Sequence, residues 1–148
     1  MPRRPRRELP SPASYHVTAR GVNRGFIAFD DVDFRALHEL VLRAAERWGL
    51  EYDVYCLMGT HFHLVMPTSV ASLSPGMHWL MGTYAQRINR RHKRAGHLFA
   101  SRFSAWVLRD EEHWIETCRY VLENPVKAGL CKTVLDWPWS GGRFRGAP

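Results

Sequence analysis

The sequence predicts a single α+β domain in which helices pack against an antiparallel β-sheet. The chain has 148 residues, of which 45% are hydrophobic and six are tryptophan, and this is enough to bury one core. Four segments have the residue pattern of strands and three have the pattern of helices. Two of the strands are separated by only a short turn, which makes them antiparallel neighbours.

The first strand and the first helix lie in the N-terminal third of the chain. Residues 14–20 (SYHVTAR) alternate between two faces, and the sequence GVNRG that follows breaks the strand. Asp30 or Asp31 is suited to cap a helix whose apolar residues recur at helical spacing, and Gly49 is suited to end it. This segment has the clearest helical pattern in the chain.

A hairpin and a second helix follow. Residues 50–58 and 62–67 have strand patterns, and Gly59 and Thr60 form the short turn between them. Residues 75–92 predict a helix with an apolar stripe on one side and a cationic run, RINRRHKR, at its C-terminal end.

The last strand and helix complete the element order. Residues 103–108 have a strand pattern, and Asp110 is suited to cap a helix that we expect to end at residue 123, before Asn124 and Pro125. The order strand, helix, strand, strand, helix, strand, helix predicts a ferredoxin-like, RRM-like split β-α-β sandwich. In this fold the helices are expected on one face of the antiparallel sheet.

The ends of the chain differ in composition from its middle. Residues 1–12 contain four Arg and four Pro, and the C-terminal end is rich in Gly and Arg. We therefore expect a basic flexible tail over residues 1–13, a folded domain over residues 14–140 and a flexible tail over residues 141–148. No signal sequence and no apolar span suited to a membrane is present, so the sequence predicts a cytoplasmic, nucleoid-associated protein without a membrane partner.

Positive charge is concentrated in the centre of the chain. Residues 54–109 contain seven Lys or Arg and no Asp or Glu, a pattern typical of proteins that bind polyanions. Aromatic residues are interleaved with these cations, as single-strand nucleic-acid binding requires, although a merely solvated helix end has the same charge. The candidate DNA-binding residues are Arg20, Arg24, Arg87, Arg90, Arg91, Lys93, Arg94 and Arg102.

His61 and His63 form an H-x-H pair in the second strand of the hairpin. Residues two apart in a strand point to the same side, so both imidazoles stand on one face. This spacing suits two ligands of one metal ion, and it equally suits two polar residues on a solvated face. The pair alone leaves both interpretations open.

The last predicted helix carries an exposed tyrosine. Tyr120 lies nearly opposite the centre of the apolar sector and shares its side with polar residues, among them Asn124 one turn later. Tyr84 instead shares the apolar stripe of the second helix. Tyr120 is therefore the better nucleophile candidate, and a surface tyrosine that covers its own helix is the alternative.

Five motifs together resemble a known family. YHVTARGVNRGFIAF, CLMGTHFHLVM, INRRHKRAGHLFASRF, RYVLENPVKAGL and DWPWS occur in this order over residues 15–140. Their content and spacing resemble the REP-associated tyrosine transposases, where REP denotes a repeated extragenic palindrome. These proteins are a branch of the single-tyrosine HUH transposase superfamily, of the insertion-sequence transposase type.

The resemblance implies a role for four residues. His61 and His63 match the two metal-ligating histidines, Tyr120 matches the nucleophile, and Asn124 matches the polar position that completes metal coordination. Because residues four apart share a helix face, Tyr120 and Asn124 agree with this assignment. The departure from the family pattern is Gly59-Thr60, where many relatives have Pro-Asn.

The activity implied by the resemblance is metal-dependent transesterification of single-stranded DNA. The enzyme would cleave and rejoin DNA at sites flanked by REP-like hairpins through a 5′-phosphotyrosine, using Mg²⁺ or Mn²⁺ and no nucleotide cofactor. The family includes dimers and proteins that act as monomers. The alternatives are a non-catalytic nucleic-acid-binding domain derived from a transposase and a zinc hydrolase built on the H-x-H pair.

Overall fold

Five antiparallel strands form one sheet in the order β4-β1-β3-β2-β5. The computed structural model describes residues 12–146. The strands are β1 (Ala13–Arg20), β2 (Val54–Leu57), β3 (His61–Thr68), β4 (Ser104–Val107) and β5 (Ser140–Gly141). The four predicted strands are confirmed, although β2 is shorter than expected. The two-residue β5 was not predicted, because so short a strand has no periodicity to detect.

The helices are α1 (Asp31–Trp48), α2 (Val70–Arg91) and α3 (Glu111–Lys127). The predicted ends of α1 are confirmed, because the Asp30 side chain accepts a hydrogen bond from the Asp33 amide and Gly49 has a left-handed φ of 63°. The α+β class and the predicted element order are likewise confirmed.

Two predicted helix ends were wrong, both at a proline. The N-terminus of α2 lies at Val70, where Ser69 caps the helix by accepting from the Ser72 amide, and Pro75 falls inside it. Helix α3 continues past Asn124 to Lys127, with a buried Pro125 inside it. A proline removes one helical hydrogen bond. Burial of the Pro125 ring offsets part of that cost, whereas Pro75 is exposed.

The larger core lies between one face of the sheet and the helices α1 and α2. Alternate residues of β1 and β3 point into it, including Val17, Phe62 and Leu64, which are fully buried. Tyr84 is also fully buried and donates a hydrogen bond to the carbonyl of Ile27 at 2.6 Å. The interpretation of Tyr84 as a packing residue is therefore confirmed.

The third helix packs on the opposite face of the sheet, so the expectation that all helices share one face holds only for α1 and α2. A second core joins α3 to this face through Val54, Val65, Cys118, Val121 and Leu122. The central strands are apolar on both faces, and this second apolar surface must be covered. Polar residues on this face lie near the N-terminal end of β3 and on the adjoining part of β1, and they include His61 and His63.

A buried carboxylate joins the start of α1 to the end of α2. Asp33 is 1% exposed and accepts from the Phe29 amide at 2.9 Å. Its two oxygens also contact Arg91 and His92, each at 2.7 Å. Because a buried carboxylate requires partners, these contacts fix the cationic end of α2 against α1.

Residues 141–146, which belong to the flexible tail predicted over residues 141–148, contact the folded domain. The short strand β5 pairs with β2, the Arg143 side chain contacts the buried Asp53 at 2.6 Å, and the Phe144 amide donates to the Asp53 carbonyl at 2.9 Å. Composition alone misjudged residues 141–146, since their partners lie far away in the sequence. The predicted N-terminal tail falls outside the described residues up to residue 11.

None of the helices within residues 12–146 is long and apolar enough to cross a membrane.

Candidate active site

Strand β3 presents His61 and His63 on the face of the sheet that α3 covers. Phe62 and Leu64 point to the opposite face and are fully buried in the larger core, so the register of β3 fixes both imidazoles on one side. His63 is 2% exposed, and the two rings lie with centroids 5.0 Å apart at an angle of 89°. The histidines are therefore not on an open solvated strand face.

Helix α3 brings Tyr120 and Asn124 to the same place. The Nδ2 of Asn124 lies 3.4 Å from the Nε2 of His63, and the Asn124 side chain also interacts with His61. The Tyr120 ring meets the His63 ring edge-on at a centroid distance of 5.7 Å. Tyr120 is 46% exposed, so its phenol is accessible from solvent. The four residues singled out in the sequence thus converge from two elements.

Each histidine of the pair is held through its Nδ1 atom. The Nδ1 of His61 lies 3.0 Å from the Thr60 hydroxyl, and the Nδ1 of His63 lies 2.9 Å from the Nε2 of His16. Thr60 belongs to the dipeptide that departs from the family pattern, and its hydroxyl supplies this contact. These Nδ1 contacts leave the Nε2 atom of each ring for another ligand, and the Nε2 of His63 faces Asn124.

Burial keeps the two imidazoles in their neutral form. Desolvation, followed by the nearby His16, His61 and Arg20, lowers the pKa of His63 to about 2. Desolvation is also the largest cause that lowers the pKa of His61, and the Arg20 charge adds to it. Neutral imidazoles offer the lone pairs that metal binding requires.

The donor set fits a divalent ion with mixed nitrogen and oxygen ligands. Two imidazoles and a carboxamide meet here, and Mn²⁺ and Mg²⁺ accept such oxygen donors while Mn²⁺ also accepts imidazole. Within residues 12–146, no three or more His, Cys, Asp or Glu residues are grouped in a way that would hold a metal. A metal at this place would therefore take its third protein ligand from the amide of Asn124.

His16 is a site residue that sequence reasoning did not select. Its ring stacks on that of His63 at 5.1 Å, and the Tyr120 ring meets it edge-on at 6.3 Å. Desolvation, followed by the nearby His113, lowers the pKa of His16 to about 4. Two features together identify His16 as a site residue. The alternation of β1 places His16 on the same face as Arg20, and β1 pairs with the strand that carries the H-x-H motif.

The N-terminal end of helix α3 is held by a cap and by a hydrogen bond to a buried carboxylate. Asp110 caps it by accepting from the His113 amide at 2.7 Å, as predicted. The Trp114 Nε1 donates to the buried Asp53 carboxylate at 2.9 Å. Near the other end, the Lys127 ammonium lies 6.0 Å from the centroid of the Tyr120 ring. Lys127 therefore places a positive charge beside the phenol.

The candidate DNA-binding cations lie in several parts of the fold. Arg20 pairs in register with His61 and lies beside the site, whereas Arg87, Arg90 and Lys93 are exposed at the C-terminal end of α2. The others are Arg24 in the turn after β1, Arg91 in ion pairs with Asp30 and Asp33, Arg94 near the Phe29 ring, and Arg102 in the segment before β4.

Comparison with models of known families shows which family this chain belongs to. A model of the family described as IS200-like transposases matches residues 11–124. The chain belongs to this family. The matched region of this IS200-like family member includes His16, His61, His63, Tyr120 and Asn124.

Individual relatives of this family member agree with that assignment. A Haemophilus influenzae protein assigned as a REP-associated tyrosine transposase is 24% identical over 119 residues. That alignment covers 73% of this chain and 66% of the relative, just under two thirds. The resemblance to the REP-associated branch that the motifs indicated is thereby confirmed.

Solved structures give the same fold. The structure of a REP-associated tyrosine transposase bound to a REP hairpin superimposes with a TM-score of 0.75 at 18% identity, covering 93% of this chain and 81% of the other. A Deinococcus radiodurans R1 protein assigned as a transposase superimposes with a TM-score of 0.52 at 18% identity, covering 79% of this chain and 93% of the other. At these identities the likeness establishes the fold.

Proposed function

We propose that this IS200-like family member is a metal-dependent transesterase of single-stranded DNA. It cleaves and rejoins DNA at hairpin-flanked sites through a 5′-phosphotyrosine at Tyr120. One observation carries the proposal: the Tyr120 ring lies 5.7 Å from that of His63, whose Nε2 is 3.4 Å from the Asn124 amide. An exposed phenol thus stands beside a cluster of neutral donors at the polar end of a sheet face.

Tyr120 is the attacking group in this mechanism. Its phenolic oxygen forms a bond to phosphorus, the bond from phosphorus to the 3′-oxygen breaks, and the departing 3′-oxygen takes up a proton. The phosphodiester energy is kept in the phosphotyrosine. The reverse attack by another 3′-hydroxyl therefore rejoins DNA without a nucleotide cofactor.

His61, His63 and Asn124 would hold the metal ion, Mg²⁺ or Mn²⁺. Such an ion, when bound, polarises the scissile phosphate and neutralises the charge that develops on it. The chain contributes the geometry: burial keeps both imidazoles neutral, and contacts from Thr60 and His16 hold their orientation.

Hairpin DNA is the partner that the charge distribution fits best. The exposed cations at the end of α2, Arg87, Arg90 and Lys93, provide contacts for phosphates, and Arg20 lies between the sheet edge and the site. The solved relative of the same fold is bound to a REP hairpin, which supports a REP-like hairpin as the partner here. The proposal covers action as a monomer or as a homodimer.

The test is formation of a covalent adduct on a labelled oligonucleotide that carries a hairpin and single-stranded flanks. Wild-type protein with Mn²⁺ should give a species that resists denaturation, and Tyr120→Phe should abolish it without weakening hairpin binding. Tyr84→Phe is the matched control, because Tyr84 is buried and bonded to Ile27. It should lose some stability and keep the adduct.

Two results would contradict the proposal. Tight hairpin binding without any adduct, over a set of matched flanking sequences, would identify a non-catalytic binding domain. Cleavage with release of product and no protein-linked DNA would instead point to a hydrolase. His61→Ala and His63→Ala should each abolish adduct formation while hairpin affinity stays within about twofold, since neither side chain is part of the cationic surface.

A further inference from the structure

Arg20 is an exposed cation at the border of the candidate active site. It is the last residue of β1, and it pairs in register with His61 of β3. Residues that pair directly across two antiparallel strands point to the same face, with their Cβ atoms about 5 Å apart. The Arg20 side chain therefore begins on the face of the sheet that carries His61 and His63.

The charge of Arg20 acts on both histidines of the pair. Desolvation is the largest cause that lowers the pKa of His61 and of His63, and the Arg20 charge is a further cause in each case. Because water and salt screen exposed charges, such an effect requires a short distance. The guanidinium is therefore close to the place where the two imidazoles would hold an ion against a bound phosphate.

The guanidinium of Arg20 has no carboxylate partner within residues 12–146. Arg91 and Arg143 differ from it in this respect, since each contacts a buried carboxylate. The backbone of Arg20 is nevertheless held, because its carbonyl accepts from the Ala100 amide at 2.9 Å. An exposed guanidinium on a fixed backbone, without an acidic partner, is available to bind the oxygens of an anion.

We propose that Arg20 is a catalytic residue that binds the two non-bridging oxygens of the scissile phosphate. These oxygens carry the negative charge of the phosphate while the Tyr120 oxygen bonds to phosphorus and the 3′-oxygen departs. The guanidinium donates two parallel hydrogen bonds to them and stays protonated, so it transfers no proton and acts by charge and orientation. This inference rests on the proposed function, because it assigns Arg20 a role in the attack by Tyr120.

Replacement of Arg20 should have opposite effects on the reaction and on metal binding. At saturating hairpin DNA, Arg20→Gln should reduce the rate of adduct formation by about 100- to 1,000-fold, the usual effect of removing one donor to a reacting anion. Without DNA, the same variant should bind Mn²⁺ about threefold more tightly or better, because a like charge beside the ion is removed. Electron paramagnetic resonance measures this affinity. A merely structural residue would lower both quantities.

Two further variants separate the charge of this side chain from its shape. Arg20→Lys keeps the charge and loses the planar fork, so its Mn²⁺ affinity should match that of the parent protein while its adduct rate lies between those of the parent and Arg20→Gln. Arg119→Gln is the matched control for the loss of an exposed cation. Its charge is not among the causes that lower the pKa of His61 or His63, and it should change neither quantity.

A binding measurement identifies the phosphate that Arg20 contacts. It uses Tyr120→Phe protein without metal and hairpin oligonucleotides in which one phosphate at a time is replaced by a neutral methylphosphonate. At the scissile position, which the adduct of the parent protein locates, this replacement should weaken binding about tenfold, as expected for a lost charged hydrogen bond. In Tyr120→Phe protein that also carries Arg20→Gln, the same replacement should have little effect, because the two changes remove one shared contact.

Three results would overturn the catalytic role of Arg20. They are an unchanged adduct rate in Arg20→Gln, a fall of Mn²⁺ affinity together with that rate, and an equal loss of binding in both backgrounds at the scissile position. Failure of the transesterase proposal would be seen separately, as the absence of an adduct with the parent protein. The Mn²⁺ titration needs neither DNA nor an adduct, so it tests the charge of Arg20 beside the histidines in either case.

Discussion

The Nε2 of His16 lies 2.9 Å from the Nδ1 of His63, and the two rings stack with centroids 5.1 Å apart. In such a contact one nitrogen donates its hydrogen and the other accepts it. If the Nε2 lone pair of His63 is to bind a metal, the hydrogen of His63 lies on Nδ1, so His16 must accept. His16 of β1 thus holds the His63 ring of β3 in the orientation that metal ligation requires.

Replacing His16 should weaken metal binding through His63. His16→Phe keeps a ring that can stack but removes the acceptor, and we expect a 10- to 100-fold loss of Mn²⁺ affinity, the usual effect of losing such a partner. His16→Gln, which retains an oxygen acceptor, should recover most of that affinity. Titration of Mn²⁺ followed by electron paramagnetic resonance measures this, and an unchanged affinity in His16→Phe would contradict the assigned role.

The sequence predicted most of the fold because its signals are local. The cap at Asp30, the stop at Gly49 and the two-residue turn before His61 each depend on neighbouring residues, and all were confirmed. The errors came from long-range packing. Pro125 lies inside α3 because packing of its buried ring offsets the lost hydrogen bond, and α3 lies on the second sheet face because that face is also apolar. The exposed Pro75 lies inside α2 because the helix begins earlier, where Leu73 is buried in the core.

The site was predicted only in part for the same reason. His61, His63, Tyr120 and Asn124 were found through the H-x-H spacing, the helix face and the family resemblance. His16 was missed, because its relation to His63 depends on the pairing of β1 with β3, which are 47 residues apart at the contact. The ion pairs of Arg91 were equally invisible, since a cationic run shows charge but not its partners.

Arg90 and Arg91 should have separate roles although they are adjacent. Arg91 contacts the buried Asp33 at 2.7 Å, so Arg91→Gln should measurably lower the free energy of unfolding, with the Phe29 amide and His92 limiting the loss. Arg90 is exposed, so Arg90→Gln should change stability by less than about 0.5 kcal/mol. Urea denaturation measures both.

The two substitutions should have the opposite order of effects on DNA binding: Arg90→Gln should change it and Arg91→Gln should not. Arg90→Gln should reduce the slope of log affinity against log salt concentration by about one on hairpin DNA, as expected when one phosphate contact is lost. Arg91→Gln should leave this slope unchanged at a temperature where the variant is folded. A reduced slope in Arg91→Gln and not in Arg90→Gln would reverse the two assignments.

Asp30 should make stability depend on pH in the acid range. Its hydrogen bond with Arg91 is the largest cause that lowers its pKa to about 2, from an ordinary value of 3.8. Between these values the unfolded chain binds the proton more readily than the folded chain. The contribution of this carboxylate is therefore complete above about pH 4 and is lost as the pH falls toward 2.

Asp30→Asn isolates that contribution, because asparagine also caps helices well. Urea midpoints of wild type and Asp30→Asn should differ by a constant amount from pH 6 to pH 4, and the difference should shrink between pH 4 and pH 2. A difference that stays constant down to pH 2 would show that the ion pair with Arg91 does not stabilise the charged form.

The C-terminal segment should control the position of α3. The buried Asp53 accepts from the Trp114 indole of α3 at 2.9 Å and from Arg143 at 2.6 Å, and the Phe144 ring meets the Trp114 ring edge-on at 5.3 Å. Arg143→Gln leaves this carboxylate with one side-chain partner. We expect the free energy of unfolding to fall below that of the parent protein, which chemical denaturation measures.

Arg143→Gln should also slow the proposed reaction, because α3 carries Tyr120. In Arg143→Gln the rate of adduct formation should fall more than the affinity for hairpin DNA, since the cations at the end of α2 lie on a different helix. Arg119→Gln is the control: this side chain is exposed on α3, and its loss should leave both stability and adduct rate nearly unchanged. Equal effects of Arg143→Gln and Arg119→Gln on the adduct rate would mean that the contact with Asp53 does not position the nucleophile.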